Sequence, residues 1–214
     1  MNQTGLDAGQ TVTIIGCAPI VEPETEQFVH HFVVSGALEE DSCGASLNIL
    51  AAWAPGEPGM MLPENVGIPL FGELNINSMS LQVHYNNPLQ LGNQIDSSGM
   101  RFYYTLEPRE HEAAFVGVGD TFVRLTNTTI GEGLSEWSLQ CQPGCSEFAL
   151  AGESVTVISE GLHMHKTGIK MTNEQIRDGK VIRSSNIEVY DYEHQGNFEA
   201  KDVPYEVQPG DTFR

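Results

Sequence analysis

The sequence predicts an all-β protein, and three observations point there. Glycine (22) and proline (11) recur through the 214 residues and cut the chain into segments about 8–15 residues apart, the spacing of a many-stranded β fold. The segments between them are rich in Val, Ile, Phe and Tyr, side chains that suit a pleated, half-buried surface. No long stretch repeats apolar residues at helical spacing.

In chain order, strands are expected at Thr11–Ile15, Phe28–Ser35, Met79–Tyr85, Met100–Leu106, Ala113–Val118, Thr121–Leu125, Ser154–Ile158, Lys180–Arg183 and Asn186–Tyr192. Alternation is clear in Leu81-Gln82-Val83-His84-Tyr85, where odd positions are apolar. Gln82 and His84 therefore share one face. At Leu106-Glu107-Pro108-Arg109-Glu110 charge clusters and a proline interrupts pairing. A boundary there gives domains 1–106 and 107–214, each of about 105 residues, a typical size for a β-sandwich. The number of strands suits Greek-key or jelly-roll topology.

Charge narrows the partners. Lys and Arg total 10 against 29 Asp and Glu, a formal net charge of −19. Such a surface repels phosphate backbones and anionic lipid heads, so neither nucleic acid nor a membrane surface is the expected partner. Metals, amines and basic peptides suit it better. The apolar runs are short, so no membrane-inserted helix is expected in this segment. The N-terminus, Met1-Asn2-Gln3-Thr4-Gly5, lacks an apolar signal core. Either the protein is not secreted or the chain lacks its natural start.

Four cysteines in an all-β chain favour disulfides and an oxidising compartment. Cys17–Cys43 is one candidate bridge, and the connectivity is left open. Cys141-Gln142-Pro143-Gly144-Cys145 reads as a turn whose two cysteines pair with each other or with partners elsewhere. The competing reading is four reduced thiols.

Five of the seven histidines carry the chemical signal. In Leu162-His163-Met164-His165 the two imidazoles lie at i and i+2. On a strand they project from one face, about 7 Å apart along the chain, and can close on one metal while Met164 points the other way. Imidazole suits copper, zinc, iron and nickel. Without a metal, the same pattern is two solvated strand histidines. His30-His31 is adjacent, and adjacent strand residues point to opposite faces. The pair binds one metal only if the strand bulges or ends there, or if the rings use different nitrogens; otherwise one is a core and one a surface histidine. Gln82, beside His84, is placed to hydrogen-bond a metal-bound imidazole and fix its tautomer. His111 and His194 lie in polar segments and read as solvated.

These residues sit in a longer pattern: Ala18-Pro19-Ile20-Val21 before His30-His31; Leu50-Ala51-Ala52-Trp53-Ala54-Pro55-Gly56; Leu81-Gln82-Val83-His84-Tyr85-Asn86-Asn87-Pro88; Asp96-Ser97-Ser98-Gly99; Leu162-His163-Met164-His165-Lys166-Thr167-Gly168; Arg177-Asp178-Gly179; and Val207-Gln208-Pro209-Gly210-Asp211. The chain in this respect resembles the copper type II, ascorbate-dependent monooxygenases, the family of dopamine β-monooxygenase and peptidylglycine α-hydroxylating monooxygenase. The resemblance covers most of Ala18–Asp211.

The resemblance implies two jelly-roll-like antiparallel β-sandwich domains, each with one copper. His30, His31 and His84 would hold the electron-transfer copper. His163 and His165 would hold the oxygen-activating, catalytic copper together with a methionine. The implied reaction is hydroxylation of an activated C–H bond by O2, with ascorbate as electron donor, in the secretory pathway, outside the cell or in a vesicle lumen. In the family that methionine follows the Pro-Gly-Asp motif by some tens of residues, whereas this sequence ends at Arg214. The resemblance therefore implies an internal piece of a longer protein, with little hydroxylase activity of its own, that lacks the methionine and the partners of Cys141 and Cys145. Met164 does not replace the ligand, because alternation turns it away from the histidines. Where the peptide-amidating branch has a carboxylate-binding Arg, two residues before His163, this chain has Gly161. That argues against C-terminal peptide amidation, and the Asn86-Asn87-Pro88 and Thr167-Gly168 segments lean toward the dopamine β-monooxygenase branch, which implies a small, phenylethylamine-like substrate. Two other readings compete: a non-catalytic, copper-binding extracellular β-sandwich module, and a zinc hydrolase, for which no general base is evident.

Overall fold

The computed structural model describes residues 11–37, 48–70, 76, 78–119, 131–192, 195 and 203–214. Strands dominate, as expected, and they pair almost entirely antiparallel. The chain divides into two compact units, Met1–Phe115 and Val116–Arg214.

The first unit holds two sheets. In one, β1 (Val12–Ile20) lies between β7 (Gly99–Thr105) on one side and, on the other, β4 (Met60–Met61) and β5 (Val66–Leu70), with β8 (His111–Glu112) beside β5. The β5–β8 contact is a short parallel pair. In the other sheet β2 (Val29–Ala37) is central, flanked by β3 (Asn48–Trp53) and β6 (Ser78–Tyr85). A three-residue 3-10 turn, Glu26–Phe28, leads into β2. The core closes between the sheets. Val12, Ile14 and Cys17 from β1 and Ile68 and Leu70 from β5 pack with Val34, Leu50, Ala51 and Ile76. A second cluster, Val29, Phe32 and Trp53, lies under the start of β2. Phe32 and Trp53 stack with ring centroids 4.9 Å apart, and the Trp53 indole donates to the Glu57 carbonyl at 2.7 Å. That bond lets the large ring be buried without an orphaned N–H.

The second unit pairs β10 (Met171–Arg177) with β11 (Lys180–Ile187) and β13 (Thr212–Phe213), and separately β9 (Val155–Val157) with β12 (Tyr205–Val207). Asp178-Gly179 closes the β10–β11 hairpin, both at positive φ (51° and 74°). This is the two-residue turn whose twist matches the strands it joins. Buried Asp211 organises the end of the chain. Its carboxylate accepts two hydrogen bonds from the Arg177 guanidinium (2.7 and 2.8 Å), one from Gln175 (2.7 Å) and one from the Gln208 N–H (2.9 Å).

Several elements differ from expectation. Lys180–Arg183 and Asn186–Tyr192 merge into β11, which stops at Ile187. The strand expected at Ala113–Val118 is absent; pairing ends at Glu112. Thr121–Leu125 lies outside the described residues. The Cys-x3-Cys segment is not a simple turn, because the helix α1 (Pro143–Leu150) starts inside it. A proline at the first helical position costs no hydrogen bond and presets φ. Ser146 Oγ then donates to the Asp211 carbonyl at 2.6 Å and pins the helix to the Pro-Gly-Asp turn.

Cys17, Cys141 and Cys145 are free thiols, and no disulfide joins the described residues. Cys43, the partner expected for Cys17, lies outside them. The hydrogen bond that Cys141 shares with Cys145, with desolvation behind it, pushes the Cys141 thiol up to about 11. Among the described residues no helix is long and apolar enough to cross a membrane.

Candidate metal centre

The first histidine site is made by an irregularity in one ladder. β2 and β6 pair Val29 with Tyr85 and then His31 with His84, so β2 takes two steps where β6 takes one. His30 is the extra residue, a β-bulge of the kind that re-aims side chains. This resolves the adjacent-histidine problem, since strict alternation would send His30 and His31 to opposite faces. Instead the three rings form a closed triangle. Centroids are 4.9 Å apart for His30–His31, 5.0 Å for His30–His84 and 4.6 Å for His31–His84, all edge to face. The Nδ1 atoms of His30 and His31 stand 2.8 Å apart. His30 is buried, His31 half-buried and His84 exposed, so the site opens outward along β6.

The donor set fits a metal ion. One nitrogen from each of the three residues lies within 4.8 Å of the others. Metal–imidazole bonds of about 2.0–2.1 Å place two donors on one ion no more than about 4 Å apart. The Nδ1 pair, 2.8 Å apart, already meets that limit. Gln82 is exposed, two residues before His84 on the same strand and across from Val33.

His163 and His165 also come together, though not on a strand. Residues 158–165 carry no ladder, and Lys166-Thr167 is a turn. The alternation expected of a strand survives all the same. Leu162 is buried, Met164 half-buried, and the two histidines face outward with ring centroids 5.1 Å apart. Two bonds replace a ladder. The Tyr190 hydroxyl donates to the Met164 carbonyl at 2.5 Å, and the Gly168 N–H donates to the His165 carbonyl at 2.8 Å. Met164 tucks under this turn, where a Cβ at Gly168 would meet its Cβ at 2.5 Å and its sulfur at 2.8 Å. The thioether is thus turned from the histidines, as alternation predicts.

Sequence reasoning missed Gln195 and Tyr190. Gln195 is buried, lies near His163 and donates to the Tyr192 carbonyl at 3.0 Å. Desolvation and the adjacent His165 lower the His163 pKa, and Gln195 opposes them. The polar segment around His194 was the only signal, and it reads as solvent-facing. His194 itself lies outside the described residues. His111 is exposed on β8, as expected.

Residues 4–92, which include the whole three-histidine triangle, match the family model described as copper type II ascorbate-dependent monooxygenase, N-terminal domain. Over these residues the chain is similar to the copper type II, ascorbate-dependent monooxygenase family. The likeness to members of this family continues past the matched domain. Dopamine beta-hydroxylase of Bos taurus is 29% identical over 94% of this chain and 36% of its own length. Tyramine beta-hydroxylase of Caenorhabditis briggsae is 26% identical over 95% of this chain and 37% of its own. DBH-like monooxygenase protein 1 of Homo sapiens is 29% identical over 94% of this chain and 36% of its own. The chain thus spans about a third of the length of the curated relatives it matches.

Proposed function

We propose that this chain carries the copper-holding segments of a monooxygenase that hydroxylates an activated C–H bond of a small, phenylethylamine-like substrate, using O2 and ascorbate. The observation that carries this reading is the bulge at His30, which turns three imidazoles onto one point inside the segment that matches the copper monooxygenase domain. His30, His31 and His84 are the ligands of the first copper, and His163 and His165 are two ligands of the second. Bound copper supplies one-electron redox chemistry and O2 activation, which no side chain of this protein can supply.

The protein's own residues hold and orient. The bulge fixes two imidazoles and the β6 ladder fixes the third; Gln82, two residues before His84, is the side chain we assign to bond a ligand ring. Gln195 lies near His163, where a side-chain amide can orient a ligand imidazole. Gly161 offers no charge to a substrate carboxylate. Two relatives are named for dopamine and tyramine hydroxylation, which fits an amine substrate. The same reading places the protein in the secretory pathway.

The test is oxygen consumption and product analysis with the full-length gene product, copper, ascorbate and a series of phenylethylamines. Ascorbate-dependent hydroxylation at the side chain is expected. Two bound coppers with no turnover on any amine would favour the non-catalytic copper module instead.

A further inference from the structure

One carboxylate in the first unit is bound from three directions at once. Asp96 Oδ1 accepts hydrogen bonds from Thr25 Oγ1 at 2.5 Å and from Ser98 Oγ at 2.6 Å, and Oδ2 accepts from the Tyr85 hydroxyl at 2.6 Å. The Ser98 N–H also donates to it. Desolvation raises the Asp96 pKa, but the bonds from Ser98, Thr25 and Tyr85 outweigh that and hold it down to about 2. The group is therefore a carboxylate at neutral pH.

What it joins is specific. Tyr85 follows His84 directly and pairs with Val29, the residue before His30. Thr25 begins the turn that delivers the chain to Val29, and its carbonyl accepts from the Phe28 N–H at 2.8 Å. The Phe28 carbonyl in turn accepts from the Asn86 N–H at 2.7 Å. Ser98 Oγ accepts from the Glu22 N–H at 3.0 Å and extends the clamp further upstream. Asp96 thus grips the chain just before the adjacent histidines and just after the third, on both sides of the bulge. It belongs to the segment between β6 and β7.

We propose that Asp96 is the positioning residue of the three-histidine site: by tying Thr25 to Tyr85 it holds the bulge that makes His30, His31 and His84 converge. The inference rests on the reading of those histidines as metal ligands. Three hydroxyl donors on one carboxylate form a charge-assisted network. Residues that orient ligands from behind typically alter metal affinity by about 10–100-fold. Alternation by itself would undo the site, so the bulge needs an anchor outside its own two strands.

The experiment uses the chain with His163→Ala and His165→Ala, so that Cu(II) reports on the three-histidine site alone. Cu(II) affinity is measured by competition with a chromophoric chelator and the ligand field by electron paramagnetic resonance. Thermal unfolding is followed on the same samples without metal. Asp96→Ala is expected to weaken Cu(II) binding by about 10–100-fold and to change the spectrum, while Asp96→Asn, which keeps an acceptor oxygen, recovers part of the affinity. Tyr85→Phe, which removes one hydroxyl, is expected to weaken binding by about tenfold, at the low end of that range. A role in stability alone would lower the melting temperature and leave the affinity and spectrum of the folded protein unchanged. Wild-type Cu(II) affinity and spectrum in folded Asp96→Ala would overturn the inference. Where Asp96→Ala does not fold, the same result in Tyr85→Phe overturns it. If the chain with Asp96 intact binds no Cu(II), the ligand reading itself fails and the inference falls with it.

Discussion

His31 lies directly across from His84 in the β2–β6 ladder, and the two rings meet edge to face with centroids 4.6 Å apart. A cross-strand pair of this kind brings side chains close wherever two strands pair. What makes it a candidate metal centre is the third ring, His30, delivered by the extra residue in β2.

His84→Ala should abolish tight metal binding at this centre and leave the fold intact. His84 is exposed, and surface substitutions usually change stability by no more than about 0.5 kcal/mol. Loss of a direct ligand should exceed the cost of losing an outer partner, about 10–100-fold. Chelator competition measures the first effect and guanidinium unfolding the second; unchanged affinity would remove His84 from the ligand set.

Phe32→Ala should do the reverse and strike stability first. Phe32 is fully buried against Trp53, one residue beyond His31. Truncating a core phenylalanine costs about 3–5 kcal/mol. Chemical denaturation should show the midpoint of the first unit displaced, and a loss below about 1 kcal/mol would contradict the packing described.

Tyr190→Phe should loosen the His163–His165 segment alone. The hydroxyl lost is the one that holds the Met164 carbonyl between the two histidines. Metal affinity at that pair, measured with His84→Ala present, should fall by up to about tenfold, the lower end for an outer partner. Binding at the three-histidine site, measured separately, should not change.

Asp211 gives the second unit a definite pH dependence. Desolvation raises its pKa, but the Arg177 bonds, the Gln208 N–H and Gln175 outweigh that and lower it. A carboxyl whose folded pKa is depressed contributes stability above its unfolded value, about 3.9, and loses it as pH falls through the folded value. Asp211→Asn should therefore cost stability at pH 7, with a charge-assisted hydrogen bond contributing about 1.5–3 kcal/mol. The difference from wild type should stay constant down to about pH 4 and shrink below it. A difference that grows on acidification would show that the carboxylate is not the stabilising form.

The strand character of the chain and the histidine clusters of its candidate metal sites were legible in the sequence, because both are local. Alternation at Leu81–Tyr85 and β-branched runs such as Thr11–Ile15 mark strands, and they recur as β6 and β1, although Leu81 and Tyr85 are themselves exposed. The outward set of His163 and His165 around Met164 was legible for the same reason, and it survives without a ladder. Only the tertiary structure decided the rest. The bulge at His30 depends on register with a strand more than fifty residues away, which no local pattern encodes. The start of α1 at Pro143 depends on Ser146 reaching the Asp211 carbonyl across 65 residues. Asp96 meets Thr25 across 71 residues, and Gln195 meets His163 from a segment that reads as solvent-facing loop. Side-chain period is a property of a few consecutive residues. Register and polar satisfaction belong to pairs of segments that become neighbours only when the chain has folded.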